Sequence, residues 1–360
     1  MTKKILILFY NQFGHHIDSY MYARYAERGK IDLHFCCFDM GLKRIRIPGI
    51  TVNYIPLSSN RFNSYLNFFI ASKIYVLKEN FDLIFHIDGK FTLAFRLLNL
   101  FRPMVLDIRS GDLSDNRNKL WLMNKQILIS SWFYKHVSVI SDSLCKELGL
   151  NSKKTVIIPL GGELHSFAPK QFNTVKILYF GSLNNRNIDH TITGLSLFKM
   201  QHPELDIEYD IVGFGNMTNE KTIRDTIENT GMHEFVTFHG RKTHSELIPF
   251  LDKCNVGIVY IPQRRYYDFQ PSTKLYEYLL AGLPVIATNT LENRISLKTD
   301  CGILCEDNPE SFSEALKKFI QERDKFNSES IKRAYLDYRW EHIVRNIWQP
   351  FVLNAIKYYK

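Results

Sequence analysis

The sequence predicts an α/β protein built from two similar halves, and three observations carry that prediction. Short β-branched or aromatic runs alternate with stretches of helical period, the pattern of parallel sheets covered by helices. This alternation pauses in a Gly- and Pro-containing segment, PLGGELHSFAPKQFNT (159–174), and then restarts. With 360 residues the chain is also too long for one core, since domains typically hold roughly 100–200 residues.

In the first half, strands are predicted at KILILFY (4–10), IDLHFCCF (31–38), TVNYIPL (51–57), FDLIFHI (81–87), MVLDIRS (104–110), HVSVIS (136–141) and KTVIIPL (154–160). The second half offers VKILYFG (175–181), IEYDIVG (207–213), FVTFHG (235–240), CNVGIVYIP (254–262), PVIAT (284–288) and CGILC (301–305). Helices fall between several of these runs. The expected division is 1–168, 169–340 and a last helix over 341–360. Pro350 interrupts the apolar spacing of WEHIVRNIWQPFVLNAIKYY (340–359) and is expected to end or kink that helix.

Composition narrows the class. At 45% hydrophobic, 14% aromatic and 23% charged residues, the chain is an ordinary packed protein and not a disordered, collagen-like or coiled-coil one. The first apolar run, ILILFY (5–10), is too short for a secretory signal or a membrane span of about 20 residues. Cysteines 36, 37, 145, 254, 301 and 305 are scattered, which reads as reduced thiols and a cytoplasmic location. The net charge of +9 is uneven: residues 1–168 carry 22 − 13 = +9, and residues 169–360 carry 24 − 24 = 0. A basic half attracts nucleic acid, an anionic membrane or a phosphorylated substrate, and the charge alone does not choose among them.

The most specific local signal is FQPSTKLYEYLLAGLPVIATN (269–289), a loop, a helix ending at Gly282 and a buried strand. Pro271 and Ser272 suit the first positions of a helix, whose free N–H groups and positive dipole end attract phosphate. Thr273 and Lys274 stand beside that anion. Glu277, about one turn on, is either an acceptor of two ribose hydroxyl protons or a solvated surface glutamate.

At these residues the sequence resembles the nucleotide-sugar-dependent retaining glycosyltransferases of the GT-B fold, in particular glycosyltransferase family 4. HVSVISDSLCKELG (136–149), VIIPLGGELHSFAP (156–169), LYFGSLNNRNID (178–189), IVGFG (211–215) and FHGRKTHSELIPFLDKCNVGIVYIP (238–262) follow in the family's order. The resemblance implies two Rossmann-like α/β/α domains facing each other across a cleft. It places a nucleotide-sugar donor, UDP- or GDP-linked, mostly on the second domain and the acceptor mainly on the first, with the last helix packing back on the first. A basic acceptor domain suits an anionic acceptor such as a polyprenyl-diphosphate-linked glycan. It equally suits peripheral contact with an anionic membrane during assembly of a bacterial surface polysaccharide. The amphipathic YLNFFIASKIYVLK (65–78), with Lys73 and Lys78, is either a core-packing helix or a membrane contact.

By the same resemblance Glu277 takes the nucleotide ribose. The family's Glu-x7-Glu motif is incomplete, because Phe269 stands where the first acid belongs; Asp268 and Gln270 flank the vacancy. The family's basic pair against the donor diphosphate comes from a stretch that appears here as Gly181, Ser182, Leu183 and then Arg186, with Ser182 standing where its first arginine belongs. Arg186 and Lys274 are therefore expected to stabilise the leaving diphosphate, aided by Ser272 and Thr273. Arg241 follows Gly240 where the family lines the base pocket. In the first half Gly14 permits a close backbone approach, and His15 or His16 faces the reaction centre. Asp107, Arg109 and Asp112 are candidates for acceptor contacts, with Asp107 the best placed to interact with the incoming hydroxyl. No metal is expected, since no Asp-x-Asp occurs and Cys301-x3-Cys305 has no histidine cluster.

Other classes are weaker. IVGFGNM (211–217) lacks the third glycine of a dinucleotide fingerprint. Nucleic-acid binding rests on charge alone. A catalytically silent nucleotide-sugar or glycan-binding relative is kept alive by Phe269.

Overall fold

The computed structural model describes residues 2–112, 116–166 and 168–359. All thirteen predicted runs form strands, and the chain divides into two compact units, Met1–Pro159 with Trp340–Lys360, and Leu160–Arg339.

The first unit runs β1 (Lys3–Leu8), α1 (Ile17–Tyr25), β2 (Ile31–Asp39), β3 (Ile50–Pro56), α2 (Arg61–Lys78), β4 (Leu83–Ile87), α3 (Thr92–Leu97), β5 (Met104–Ile108), α4 (Arg117–Trp132), β6 (His136–Val139), α5 (Asp142–Leu148) and β7 (Thr155–Ile157). Its seven strands are parallel in the order β3-β2-β1-β4-β5-β6-β7. The central strands read as continuous apolar runs because helices cover both faces, and Ile5 to Leu8 and Met104 to Leu106 have no exposed surface. The direction of travel across the sheet reverses between β1 and β4. Right-handed crossovers therefore put α1 on one face and α2 to α5 on the other.

The C-terminal segment closes the α1 face. Trp348 stacks on Tyr22 at 4.6 Å and meets Phe85 of β4 edge-on. The helical backbone runs through Pro350 instead of ending there. A five-residue π turn, Val344–Trp348, lies between Trp340–Ile343 and Gln349–Tyr358, and Pro350 falls in the first turn of the last piece, where a missing N–H costs least.

The second unit comprises β8 (Val175–Ser182), α6 (Ile188–Gln201), β9 (Ile207–Phe214), α7 (Met217–Asn229), β10 (Val236–Phe238), α8 (His244–Lys253), β11 (Val256–Val259), α9 (Arg265–Asp268), α10 (Thr273–Leu280), β12 (Val285–Thr288), α11 (Leu291–Ser296), β13 (Gly302–Cys305), α12 (Pro309–Gln321) and α13 (Ser328–Ala334). Its six parallel strands are ordered β10-β9-β8-β11-β12-β13, so the reversal lies between β8 and β11. In such sheets ligands bind beyond the carboxyl ends of the strands flanking the reversal.

The break between units falls after Pro159 and not after residue 168. The Gly162 amide donates to the Tyr338 carbonyl at 2.9 Å, and the Lys170 ammonium donates to the Asp252 carbonyl at 3.0 Å, which ties the joining segment to the second unit. Phe167, part of the stretch that resembles the family's interdomain motif, lies outside the described residues. With these boundaries the charge asymmetry sharpens to 25 − 13 = +12 for the first unit and 21 − 24 = −3 for the second.

Candidate functional site

In the second unit, α10 is pinned before it can present anything. Its Leu275, Tyr276, Tyr278, Leu279 and Leu280 are buried, while Lys274 and Glu277, three residues apart, share the opposite face. Tyr278 accepts the Phe180 amide and donates to the Leu178 carbonyl, both at 3.0 Å, which locks the helix onto β8. Gly257 of β11 leaves the room that the Tyr278 ring occupies. The helix ends at Gly282 in a left-handed conformation (φ +77°).

At the other end Ser272 occupies the extended N-cap position, yet its side chain makes no capping hydrogen bond. The amide end of α10 thus stays available to an anion. Lys274 folds back over Gly181 at the carboxyl end of β8; a Cβ on Gly181 would stand 3.0 Å from the Lys274 Nζ. Burial and the neighbouring Arg186 lower the Lys274 pKa to about 8, against the pull of Glu277.

Arg186 lies in the loop after β8. It donates to the Tyr267 hydroxyl at 2.6 Å and to the Asn185 carbonyl at 2.8 Å, and its guanidinium lies 4.8 Å from the Tyr267 ring centre. Its Nε is buried without a hydrogen-bond partner among the described residues. Glu277 is half-buried, and desolvation with nearby Glu163 raises its pKa to about 7 despite Lys274. A Cβ on Gly162 would stand 2.8 Å from the Glu277 amide, so the glycine beside Glu163 permits that chain to pass against α10.

These residues put two cations, a free helix end and a high-pKa carboxylate at the switch point of one sheet. Three expected members stand apart. Asp268 accepts from the Leu291 amide at 3.2 Å, so it holds the start of α11 and does not fill the vacancy beside Phe269. Gln270 is half-buried, its amide bonded to the Tyr267 carbonyl. Arg241 is exposed and lies over the Phe214 ring at 4.5 Å. Tyr267 and Asn185, which hold Arg186, were not legible in the sequence, because nothing local marks their partner.

In the first unit Gly14 has φ +88°, and a Cβ there would press on the Ile45 side chain, so it serves a tight turn after β1. His15 turns its Nε2 to the Lys43 carbonyl at 3.1 Å. His16 caps α1 through Nδ1, 3.4 Å from the Ser19 amide, and burial lowers its pKa.

Asp107 is not where an incoming hydroxyl needs it. It has no exposed surface, because it lies near the end of β5 with β4 and β6 paired on either side. It accepts from the Ser138 hydroxyl at 2.6 Å and lies 3.8 Å from Arg109. Arg109, itself buried, pairs with Asp18 and donates to the Ile158 carbonyl at 2.8 Å. Burial pushes the Asp107 pKa up to about 6. This is an internal charge cluster and not a surface for ligands.

The carboxylates that do reach a cavity are Asp88, immediately after β4, and the expected candidate Asp112. The cavity, about 810 Å³, is walled by Tyr65, Phe91 and Met123, with Asp88, Lys90 and Asp112 among its polar lining. Desolvation raises the Asp88 pKa to about 7, with Thr92 and Gly89 pulling the other way. Its signal was an acid directly after a buried parallel strand, in HIDG (86–89). Among the described residues no group of three or more His, Cys, Asp or Glu side chains has metal-binding geometry.

Residues 174–322 match the family described as Glycosyl transferases group 1. Most of the second unit therefore resembles a group 1 glycosyltransferase domain. Over 117 residues the chain is 29% identical to the human alpha-1,3/1,6-mannosyltransferase ALG2, a match that covers 32% of this chain and about a quarter (26%) of that protein. Three solved structures align along nearly the whole chain. Sucrose-phosphate synthase from Thermosynechococcus elongatus has a TM-score of 0.75 at 16% identity, covering 98% of this chain and 99% of that one. Anabaena Alr3699/HepE, in complex with UDP and glucose, scores 0.71 at 14% identity, covering 98% and 100%. The lipopolysaccharide outer core galactosyltransferase WaaB scores 0.72 at 13% identity, covering 98% and 99%. The fold is thus that of the GT-B glycosyltransferases.

Proposed function

We propose that the chain is a retaining, metal-independent glycosyltransferase that moves a sugar from a nucleotide-sugar donor to a glycan or lipid-linked glycan in bacterial surface polysaccharide assembly. The observation that carries this reading is the meeting of Lys274, Arg186 and the uncapped amide end of α10 beside Gly181. That is a built receptor for a diphosphate. Glu277, one turn along the same face, accepts the ribose hydroxyls.

The chemistry follows from that charge. The bond between the anomeric carbon and the diphosphate breaks while the acceptor oxygen bonds to the same face of the sugar. The hydroxyl proton passes to the departing phosphate oxygen, so no protein base is needed. Lys274, Arg186 and the helix end hold the charge that develops on the diphosphate, the role otherwise taken by a divalent cation. Asp88, at the cavity of the first unit, orients the acceptor hydroxyl.

The test is thermal stabilisation by UDP-, GDP-, ADP- and dTDP-linked sugars, with and without EDTA, repeated on Glu277→Ala. One selective donor, indifferent to EDTA and lost in the variant, is expected. Stabilisation by none returns the chain to the silent binding class.

A further inference from the structure

Helix α2 buries one stripe and exposes an apolar one on the other side. Ser64, Phe68, Ser72 and Val76 recur every four residues and are buried against the sheet. Phe62, Leu66, Ile70 and Ile74, two residues out of phase and so about 200° around the helix, are 61%, 39%, 48% and 46% exposed. Core packing takes one face of the helix, and the opposite apolar face is left exposed.

The second stripe does not stand alone. Beside α2, the turn after α3 exposes Leu97, Leu98, Leu100 and Phe101, the last completely. It is joined to α2 by Lys73, whose ammonium donates to the Asn99 side chain at 2.7 Å. Helix α4, which packs against α3, exposes Trp121, Ile129 and Trp132 along one stripe, with Lys125 over the Trp121 ring. All three segments lie on the same side of the sheet. Contiguous exposed apolar surface of this extent marks an interaction site.

Charge says what covers it. Residues 61–78, 89–102 and 117–135 contain no Asp or Glu and 3 + 3 + 4 = 10 Lys or Arg, of which only Arg96 is buried. Apolar side chains and tryptophans ringed by cations, without one acid, fit the headgroup layer of an anionic bilayer. We propose that the first unit docks on an anionic membrane surface through α2, the 97–102 turn and α4. Phe62, Phe91 and Leu97 belong both to this region and to the wall of the 810 Å³ cavity, so the cavity opens at the leaflet. This gives the proposed acceptor its class, a lipid held in that leaflet, and to that extent it rests on the transferase reading.

The test needs no donor, so its failure leaves the donor reading standing. The full chain is floated with vesicles of phosphatidylcholine alone or containing roughly 30% phosphatidylglycerol. Trp340 and Trp348 are buried, so a blue shift of tryptophan emission reports Trp121 and Trp132. Expected are binding to the anionic vesicles only, a blue shift, release by salt, and about tenfold weaker binding in Leu98→Glu/Phe101→Glu. Both substituted side chains are exposed, and an unchanged melting temperature verifies the fold. A Trp121→Phe/Trp132→Phe variant keeps binding and loses the blue shift. Absence of binding to anionic vesicles, or undiminished binding by the glutamate variant, overturns the proposal. So does a dimer that the glutamate variant dissociates while the wild type ignores vesicles, since a second copy then covers the face.

Discussion

The Lys274 side chain lies where a Cβ would stand on residue 181, 3.0 Å from Nζ and nearer still to Cε. Gly181 also has φ +126°, a region that L residues rarely enter. Gly181→Ala therefore displaces the ammonium and strains the strand end. We expect a loss of at least about tenfold in kcat/KM for the donor, and about 1–3 kcal/mol of stability, read by steady-state kinetics and urea unfolding.

Donor binding should be bell-shaped in pH. Glu277, with its pKa raised to about 7, is protonated below that and no longer accepts both ribose hydroxyls. Lys274, lowered to about 8, loses its charge above that. The profile of kcat/KM against pH should fall on both sides of this window, Glu277→Gln abolishing the acid limb and Lys274→Arg the alkaline one. A flat profile in the wild type contradicts the assignment.

Glu277 also predicts a stability effect of definite sign. A carboxyl whose folded pKa lies above its unfolded value binds its proton more tightly when folded, so stability falls as pH rises from about 4.5 through 7. Without ligand, Glu277→Gln should melt a few degrees above the wild type at pH 8 and lose that advantage at pH 4.

Tyr267 positions Arg186 through a 2.6 Å hydrogen bond and its ring face. Tyr267→Phe keeps the ring and removes the bond, so kcat should drop by about two- to tenfold. Arg186→Ala removes the charge itself and should cost on the order of a hundredfold, with KM changing less than kcat.

Asp107 and Asp88 separate structure from chemistry. Asp107→Ala removes the buried acceptor of the Ser138 hydroxyl and leaves a void in the core, while Asp18 still neutralises Arg109, and should cost about 1–3 kcal/mol in chemical denaturation. Asp88→Asn, by the same linkage as Glu277→Gln, should not lower the melting temperature and should raise it at pH 8, while lowering kcat/KM for the acceptor alone. Equal loss of stability in the two variants refutes the distinction.

Much of this molecule was legible along the chain. Strand runs such as ILIL (5–8) announce themselves because both faces of a central parallel strand are buried, and α10 carries its own punctuation, from Pro271 to Gly282. Lys274 and Glu277 followed from that helix phase. Asp107 misled because its neighbours in sequence resemble those of a strand-end residue, while its burial is decided by β4 and β6 on either side.

The sequence by itself determined the two α/β halves, the helix that starts at Thr273 and ends before Gly282, and the basic character of the first half. Those properties are written in local periodicity, capping residues and charge counts. Only the tertiary structure decided that Asp88 and not Asp107 reaches a cavity, that Asp268 is occupied at α11, and that α2 keeps an apolar stripe uncovered. Each of these depends on what is packed against a side chain from far along the chain, and hydropathy does not say which apolar face the fold will cover.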